Sequence, residues 1–362
     1  MHMTLVISSL NSGGAERVLS ELANYWISRN YNVSLVTLAS SQSHPFYPLD
    51  LKINLIQLDQ SYHENSILKR FSNILKRIFC LRTTIKELHP DVIISFTDVT
   101  NITTLIATIG LKIPVIVSER TNPADHNFPK IYQKLRQVFY HKAAFVVVQT
   151  EKAAAYFKDL KNIKIIPNPV PKPNNTKQFS AKPIVKKIIS VGRLCPFKGF
   201  DTLIHACPNI LNNEPYPTLT IYGEGKEHQN LLILINSLGL QDKIYLPGVI
   251  QNIQEVLVDA DLFIFPSRYE GFPNALCEAM AVGLPVIASN CSGNLAIIED
   301  RINGRIFPVG DVDSLSKIMQ ELINDTEQCK LLSLNARKIT DQFSPTKVYG
   351  MWEEIVNSVL TR

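Results

Sequence analysis

No apolar run in this chain of 362 residues approaches the roughly 20 residues that a bilayer-spanning helix needs. The N-terminus, Met1 to Leu10, is a short β-like stretch with no basic segment ahead of its apolar residues, so no secretory signal is expected. The six cysteines, at 80, 195, 207, 277, 291 and 329, show no C-x-x-C spacing. Scattered thiols of this kind indicate a reducing compartment rather than a disulfide framework or a zinc site. The eight histidines form no H-x-x-H or H-E-x-x-H pattern, which leaves metal binding without a motif. Two D-x-D strings have plainer explanations. Asp259-Ala260-Asp261 precedes a strand, and Asp311-Val312-Asp313 caps a helix. There is no low-complexity tract and no short repeat. The chain is only mildly basic, at +5, and carries no aromatic-rich basic platform, which argues against a nucleic-acid partner.

The charge that is present is unevenly placed. Residues 1–170 hold 19 Lys/Arg against 12 Asp/Glu, whereas residues 171–362 hold 18 against 20. A one-sided basic half suits an anionic partner or surface.

At this length two domains are expected. In the first half, short β-branched runs (Leu5–Ser9, Val33–Leu38, Val92–Phe96, Val115–Ser118, Phe145–Gln149) alternate with helical stretches at about 15–29, 67–88 and 130–142. Near-continuous apolar strands point to a parallel sheet buried on both faces. The stretch Pro167-Asn168-Pro169-Val170-Pro171-Lys172-Pro173 places four prolines in seven residues, which neither a helix nor a central strand tolerates. A second alternation follows, with strands at Lys187–Val191, Thr218–Tyr222, Ile244–Leu246, Leu262–Pro266 and Pro285–Ala288. The expectation is α/β: two Rossmann-like, doubly wound domains joined near 170–183, closed by amphipathic runs at 314–324 and 345–360.

Four stretches carry the chemistry. In Asn11-Ser12-Gly13-Gly14-Ala15-Glu16-Arg17 two glycines allow a tight turn and a close backbone approach after the first strand, though this is neither the dinucleotide fingerprint nor a P-loop. In Val191-Gly192-Arg193-Leu194-Cys195-Pro196-Phe197-Lys198-Gly199 two cations lie five apart across a proline-containing turn, a spacing that fits a diphosphate clamp. In Glu270-Gly271-Phe272-Pro273-Asn274-Ala275-Leu276-Cys277-Glu278 two carboxylates flank a turn and a helix start. A helix N-terminus offers N–H groups and positive potential to phosphate. With Glu270 on the loop and Glu278 inside the helix, the two address different parts of one elongated ligand. A glycosidase-like acid/base pair is the rival reading, and it leaves the neighbouring cations without a purpose. The fourth stretch is the helix at 67–88. Ile67, Phe71, Ile74, Leu75, Ile78 and Ile85 form its apolar stripe, and Lys69, Arg70, Lys76, Arg77, Arg82 and Lys86 lie on other faces. Leu68 and Phe79 interrupt the polar face, a pattern suited to an anionic bilayer or a lipid diphosphate. Lys130 to Lys142 points the same way.

Together with Gly223-Glu224-Gly225 and Pro266-Ser267, these signatures resemble family 4 glycosyltransferases of the GT-B fold across nearly the whole chain. The resemblance implies two Rossmann-like domains facing a central cleft. An acceptor-side domain would occupy 1–170 and a nucleotide-sugar domain 183–344, with a C-terminal helix at 345–362 packing back on the first. It further implies that Arg193 and Lys198 hold a donor diphosphate, that Glu278 contacts ribose hydroxyls and that Glu270 contacts sugar hydroxyls. Gly271, Phe272, Pro273, Asn274, Ala275 and Leu276 would lie around sugar and phosphate, and Gly13 and Gly14 would close over the donor. Catalysis would be retaining and metal-independent, without a cofactor. It would rest on Glu270, Arg193 and Lys198, with the leaving phosphate deprotonating the acceptor.

Ser95-Phe96-Thr97-Asp98-Val99-Thr100-Asn101 and Ser118-Glu119-Arg120-Thr121-Asn122 further resemble bacterial transferases that extend undecaprenyl-diphosphate-linked glycans. Many such relatives carry His after the Ser-Glu pair, where this chain has Arg120; His126 lies nearby, out of register. The implied acceptor-side residues are Lys69, Arg70, Lys76, Arg77, Arg82 and Arg120. The implied function is transfer of a hexose or N-acetylhexosamine from a UDP-sugar to a polyprenyl-diphosphate-linked saccharide. It would take place in the cytoplasm, peripherally on the inner face of the cytoplasmic membrane. A soluble transferase with a non-lipid acceptor, a UDP-sugar epimerase and a non-catalytic lipid-binding scaffold are the alternatives.

Overall fold

The computed structural model describes residues 1–38, 44–60, 67–121, 123, 129–178, 185–213, 216–250 and 252–361, with only the backbone described for 67–72. The chain divides into two units. One comprises Met1–Pro169 and Thr346–Arg362, the other Val170–Pro345.

The first unit is built on seven parallel strands: β1 (His2–Ile7), β2 (Asn32–Thr37), β3 (Asn54–Gln57), β4 (Val92–Phe96), β5 (Val115–Ser118), β6 (Phe145–Val148) and β7 (Ile163–Ile165). Their order is β3-β2-β1-β4-β5-β6-β7, so the winding reverses between β1 and β4, where such sheets leave a crevice at their C-terminal ends. Helices α1 (Gly14–Ser28), α2 (Ile67–Leu88), α3 (Asp98–Ala107), α4 (Lys130–Tyr140) and α5 (Glu151–Tyr156) connect the strands. The central strands β4 and β5 are buried at every position, as expected for a sheet covered on both faces. Helix α3 packs between α2 and α4. Ser95 ties β4 to α3 through Thr104, hydroxyl to hydroxyl at 3.1 Å.

The second unit has six parallel strands: β8 (Lys187–Val191), β9 (Thr218–Tyr222), β10 (Ile244–Gly248), β11 (Leu262–Phe265), β12 (Val286–Ser289) and β13 (Arg305–Phe307). Their order, β10-β9-β8-β11-β12-β13, puts the reversal between β8 and β11. The helices are α6 (Phe200–Ala206), α7 (Pro208–Leu211), α8 (His228–Ser237), α9 (Ile253–Asp259), α10 (Asn274–Val282), α11 (Ser292–Leu295), α12 (Val312–Asn324), α13 (Thr326–Ala336) and α14 (Ile339–Gln342). Asp311 caps α12, its carboxylate accepting from the Ser314 N–H at 2.9 Å.

The last helix, α15 (Pro345–Leu360), returns the chain to the first unit. Trp352 is buried there and stacks on Phe96, centroids 5.9 Å apart, and Tyr349 meets Tyr25 at 4.5 Å. The final segment thus completes the core of the unit that the N-terminal strand begins.

Candidate functional site

In the second unit, the loops after β8 and β11 are pressed together. Gly199 has φ +68, and a Cβ there would lie 2.2 Å from the Pro266 carbonyl oxygen; no other residue allows this approach. The Arg268 N–H donates to the Phe197 carbonyl at 2.7 Å, and its guanidinium grips Asp201 in a two-point pair at 3.0 and 2.6 Å. Phe197 and Tyr269 stack, centroids 4.9 Å apart. The loop after β12 closes the third side, and a Cβ on Gly293 would come within 2.7 Å of both the Glu270 carbonyl oxygen and its Cβ.

The product of this packing is a contact between Lys198 and Glu270, Nζ to Oε1 at 2.5 Å, with the two side chains only 16% and 12% exposed. The Lys198 ammonium also sits 5.1 Å from the Phe265 ring centroid. Arg193, five residues earlier, is exposed and has no ion-pair partner among the described residues. The two cations read from sequence as one clamp therefore start from different states, one paired and shielded, the other in solvent.

Helix α10 starts just past Glu270. Its N-cap is Pro273, which supplies no side-chain acceptor to the first-turn N–H groups. Of the Gly271–Leu276 stretch, Phe272, Pro273 and Leu276 are buried, and Gly271, Asn274 and Ala275 are partly exposed. Phe272 packs edge-on against Phe343 at 5.5 Å. Those apolar side chains anchor the turn. Glu278 is half-buried inside the helix. Among the described residues, no group of three His, Cys, Asp or Glu side chains could hold a metal ion.

The first unit presents a second set of polar residues where β1, β4 and β5 end. Gly13, in extended conformation, precedes α1 without a side-chain cap, and the Glu16 carboxylate lies against it. Thr97, just past β4, has φ +73. A β-branched residue there stores of order 1–3 kcal/mol of strain. The strain is held by the Thr97 N–H donating to the Ser118 carbonyl and the Thr97 carbonyl accepting from Asn101, and Asp98 follows. Arg120, after β5, stacks over Phe96 at 3.9 Å and donates from Nη1 to the Asn168 side chain at 2.9 Å. Its Nε and Nη2 are buried without a hydrogen-bond partner among the described residues. Burial pulls this guanidinium down to about 9, so it stays cationic at neutral pH.

Sequence reasoning missed Glu119, Arg136 and Tyr140. Glu119 is fully buried, accepts the Tyr140 hydroxyl at Oε1 and lies 3.7 Å from Arg136 Nη1. Burial, opposed by Arg136, pushes its carboxyl up to about 7. Arg136 and Tyr140 sit four apart on α4 inside the stretch read as a basic surface, and both are buried; an Arg and a Tyr on the apolar side of that helix were the available signal.

Helix α2 departs from the expected faces. Leu75, assigned to the inward stripe, is exposed with Lys76 and Phe79. Arg77 is buried alongside Leu81 and Ile85. Arg82 is turned inward, donating to the carbonyls of Ala107 and Ile109 at 2.7 and 2.8 Å, which caps the C-terminus of α3. Arg77 is therefore not a surface cation, and Arg82 is partly buried and held by backbone carbonyls. The side chains of Lys69 and Arg70, and all of Asn122 and His126, lie outside the described residues.

Residues 12–172 match the Glycosyltransferase Family 4 domain and residues 172–339 match Glycosyl transferases group 1. The chain is a glycosyltransferase. It is 29% identical, over 99% of both chains, to a Campylobacter jejuni protein named GalNAc-alpha-(1->4)-GalNAc-alpha-(1->3)-diNAcBac-PP-undecaprenol alpha-1,4-N-acetyl-D-galactosaminyltransferase. Among solved structures it resembles sucrose-phosphate synthase from Thermosynechococcus elongatus, with a TM-score of 0.88 at 16% identity, covering 99% of each chain. Anabaena Alr3699/HepE in complex with UDP superposes with a TM-score of 0.79 at 19% identity, covering 99% of this glycosyltransferase and 100% of that chain. These likenesses establish the GT-B fold, two Rossmann-like parallel-sheet domains.

Proposed function

We propose that this glycosyltransferase moves a hexose or N-acetylhexosamine from a UDP-sugar to a polyprenyl-diphosphate-linked saccharide, with retention of anomeric configuration, in the assembly of a bacterial surface or protein-linked glycan. The observation that carries this reading is likeness across the full chain to the Campylobacter relative, whose name specifies an undecaprenol-diphosphate-linked acceptor. The UDP held by the HepE neighbour supports the choice of donor.

On this reading the second unit binds the donor. Lys198, Arg193 and the N-terminus of α10 stabilise the charge of the leaving diphosphate. Glu270 receives sugar hydroxyls, Glu278 receives ribose hydroxyls, and the Gly271–Leu276 backbone runs between them. The paired, sheltered Lys198 and Glu270 are pre-positioned, so little reorganisation accompanies binding. The leaving phosphate oxygen takes the acceptor proton, and no metal or cofactor takes part.

The first unit supplies the acceptor side, with Arg120 facing an anionic group. It also rests on an anionic bilayer through the exposed residues of α2 (Leu75, Lys76, Phe79, Lys86) and of α4 (Lys130, Ile131, Lys134, Val138). Helix α4 contains no acidic residue. On this reading the association is peripheral, on the cytoplasmic face; no described helix is long and apolar enough to cross a membrane.

The test is transfer from a panel of radiolabelled nucleotide-sugars to a polyprenyl-diphosphate-linked sugar, with product anomers read by NMR and with EDTA controls. Transfer with retention, insensitive to EDTA, is expected. Absence of turnover with every donor refutes the reading, and turnover of donor without acceptor points to an epimerase.

A further inference from the structure

Glu119 occupies a position that the donor chemistry does not use. Its backbone N–H donates to the Val147 carbonyl at 2.9 Å, fixing the end of β5 against β6. Its carboxyl turns into the interior, where α4 meets it with Tyr140 and Arg136. Tyr140 is held in turn by the Asn101 amide at 3.2 Å, and the same amide donates to the Ser118 carbonyl at 2.9 Å. Ser118 is also the acceptor for the strained Thr97 N–H. One connected set of hydrogen bonds thus joins the Thr97–Asp98 turn to the Ser118–Glu119–Arg120 strand end. Those are the polar strand ends of the first unit's crevice.

We propose that Glu119 is a positioning residue for acceptor binding, acting through Tyr140 and Asn101 to hold Asp98 and Arg120 in register, and that its neutral form is the competent one. This inference rests on the acceptor-side reading of the first unit. Among the described residues, the charged and titratable groups acting on Glu119 are Arg136 and Tyr140 from α4 and Asp98 from the start of α3. Arg136 attracts the Glu119 carboxylate, and Asp98 repels it. With Glu119 ionised, a second carboxylate is added near Asp98, and Oε2 is buried without a hydrogen-bond partner among the described residues, so desolvation outweighs the attraction of Arg136. The carboxyl titrates at about 7, so the two forms exchange within the range where an enzyme is assayed.

The experiment measures transfer kinetics at pH 5.5 to 8.5 for wild type, Glu119→Ala, Glu119→Gln and Tyr140→Phe, varying polyprenyl-diphosphate-linked acceptor and UDP-sugar separately. Losing a hydrogen bond to a neutral buried group corresponds to a few-fold, up to about tenfold, in affinity. Glu119→Ala is expected to raise the acceptor KM by about that factor with the donor KM unchanged. Glu119→Gln, which copies the neutral form, is expected to restore the acceptor KM and abolish the fall in acceptor kcat/KM above pH 7. The Tyr140 hydroxyl bond lowers the Glu119 carboxyl, so Tyr140→Phe should move that inflection to higher pH. Should Glu119→Ala not fold, the glutamine and phenylalanine variants carry the test. Equal changes in donor and acceptor KM, or an inflection that persists in Glu119→Gln, overturn the proposal. If wild type gives no turnover, the transferase reading fails instead. Titration of the Glu119 carboxyl by carbon NMR, with Glu119→Gln assigning the signal, then decides whether the group changes charge near neutrality, and its absence there overturns the pH element on its own.

Discussion

Lys198 and Glu270, 72 residues apart in sequence, meet at 2.5 Å where the loops after β8 and β11 converge. Each is mostly shielded from water, and each neutralises the other. Removing one leaves an unpaired, sheltered charge. Lys198→Ala is expected to lower kcat/KM by more than tenfold, the scale of a lost charge contact to a diphosphate. The two tryptophans, Trp26 and Trp352, both belong to the first unit. Unfolding of the second unit is therefore better followed by circular dichroism, and a near-native melt is the control. Near-normal kinetics would refute the diphosphate role.

Gly293 lets the turn after β12 touch the Glu270 backbone. Gly293→Ala is expected to displace Glu270 and raise the donor KM, with overpacking costing about 1–3 kcal/mol of stability. UDP-sugar titration by calorimetry, compared with wild type, measures it. Unchanged donor affinity would show that the turn yields instead of Glu270.

The Glu119 carboxyl is raised from 4.5 to about 7 in the folded chain. Between those values the folded state binds more protons than the unfolded state, so stability from this group is fully present below about 4.5 and is lost as pH rises to about 7. The size is roughly 3 kcal/mol. Urea unfolding followed by tryptophan fluorescence, which reports the first unit alone, should show a lower midpoint at pH 8 than at pH 5. Glu119→Gln should flatten the difference.

Trp352 is 1% exposed against Phe96. Trp352→Ala should destabilise the first unit by about 3–5 kcal/mol. Its unfolding, followed through the remaining Trp26, should move to lower urea, while the second unit's transition stays in place.

Phe79, Ile131 and Val138 are 70%, 66% and 60% exposed on α2 and α4. Replacing all three by Asn should reduce sedimentation with anionic liposomes several-fold without lowering the melting temperature. Neutral liposomes are the control, because the flanking lysines contribute about 1 kcal/mol each only at an anionic surface.

The strands β4, β5, β8 and β9 were legible residue for residue: β4 and β5 are buried at every position and so are largely apolar, and β9 alternates half-buried and buried residues with the period of two that marks a strand. The strands β3, β7 and β13 went unseen. All three are edge strands, short and with one neighbour, and Asn54-Leu55-Ile56-Gln57 or Ile163-Lys164-Ile165 need carry no continuous apolar run. Lys198 and Glu270 were legible because glycine and proline frame each in a turn after a strong strand. The faces of α2 were not. Spacing predicts which residues share a side, but it does not show that Arg82 finds carbonyls 25 residues away. The Glu119–Tyr140 bond was hidden for the same reason: its members lie 21 residues apart, each unremarkable in its own segment.

Because residues 346–362 complete the first unit, the order of synthesis runs against the order of completion. A ribosome moving from Met1 has made the whole second unit before it produces Trp352, so the second unit can fold early while the first waits for its last helix. Until then the apolar surface over Phe96 stays open, and the polar strand ends after β4 and β5 rest on an unfinished core. The first unit therefore completes its core after the second, and a fragment of residues 1–169 alone should need α15 supplied in trans to fold.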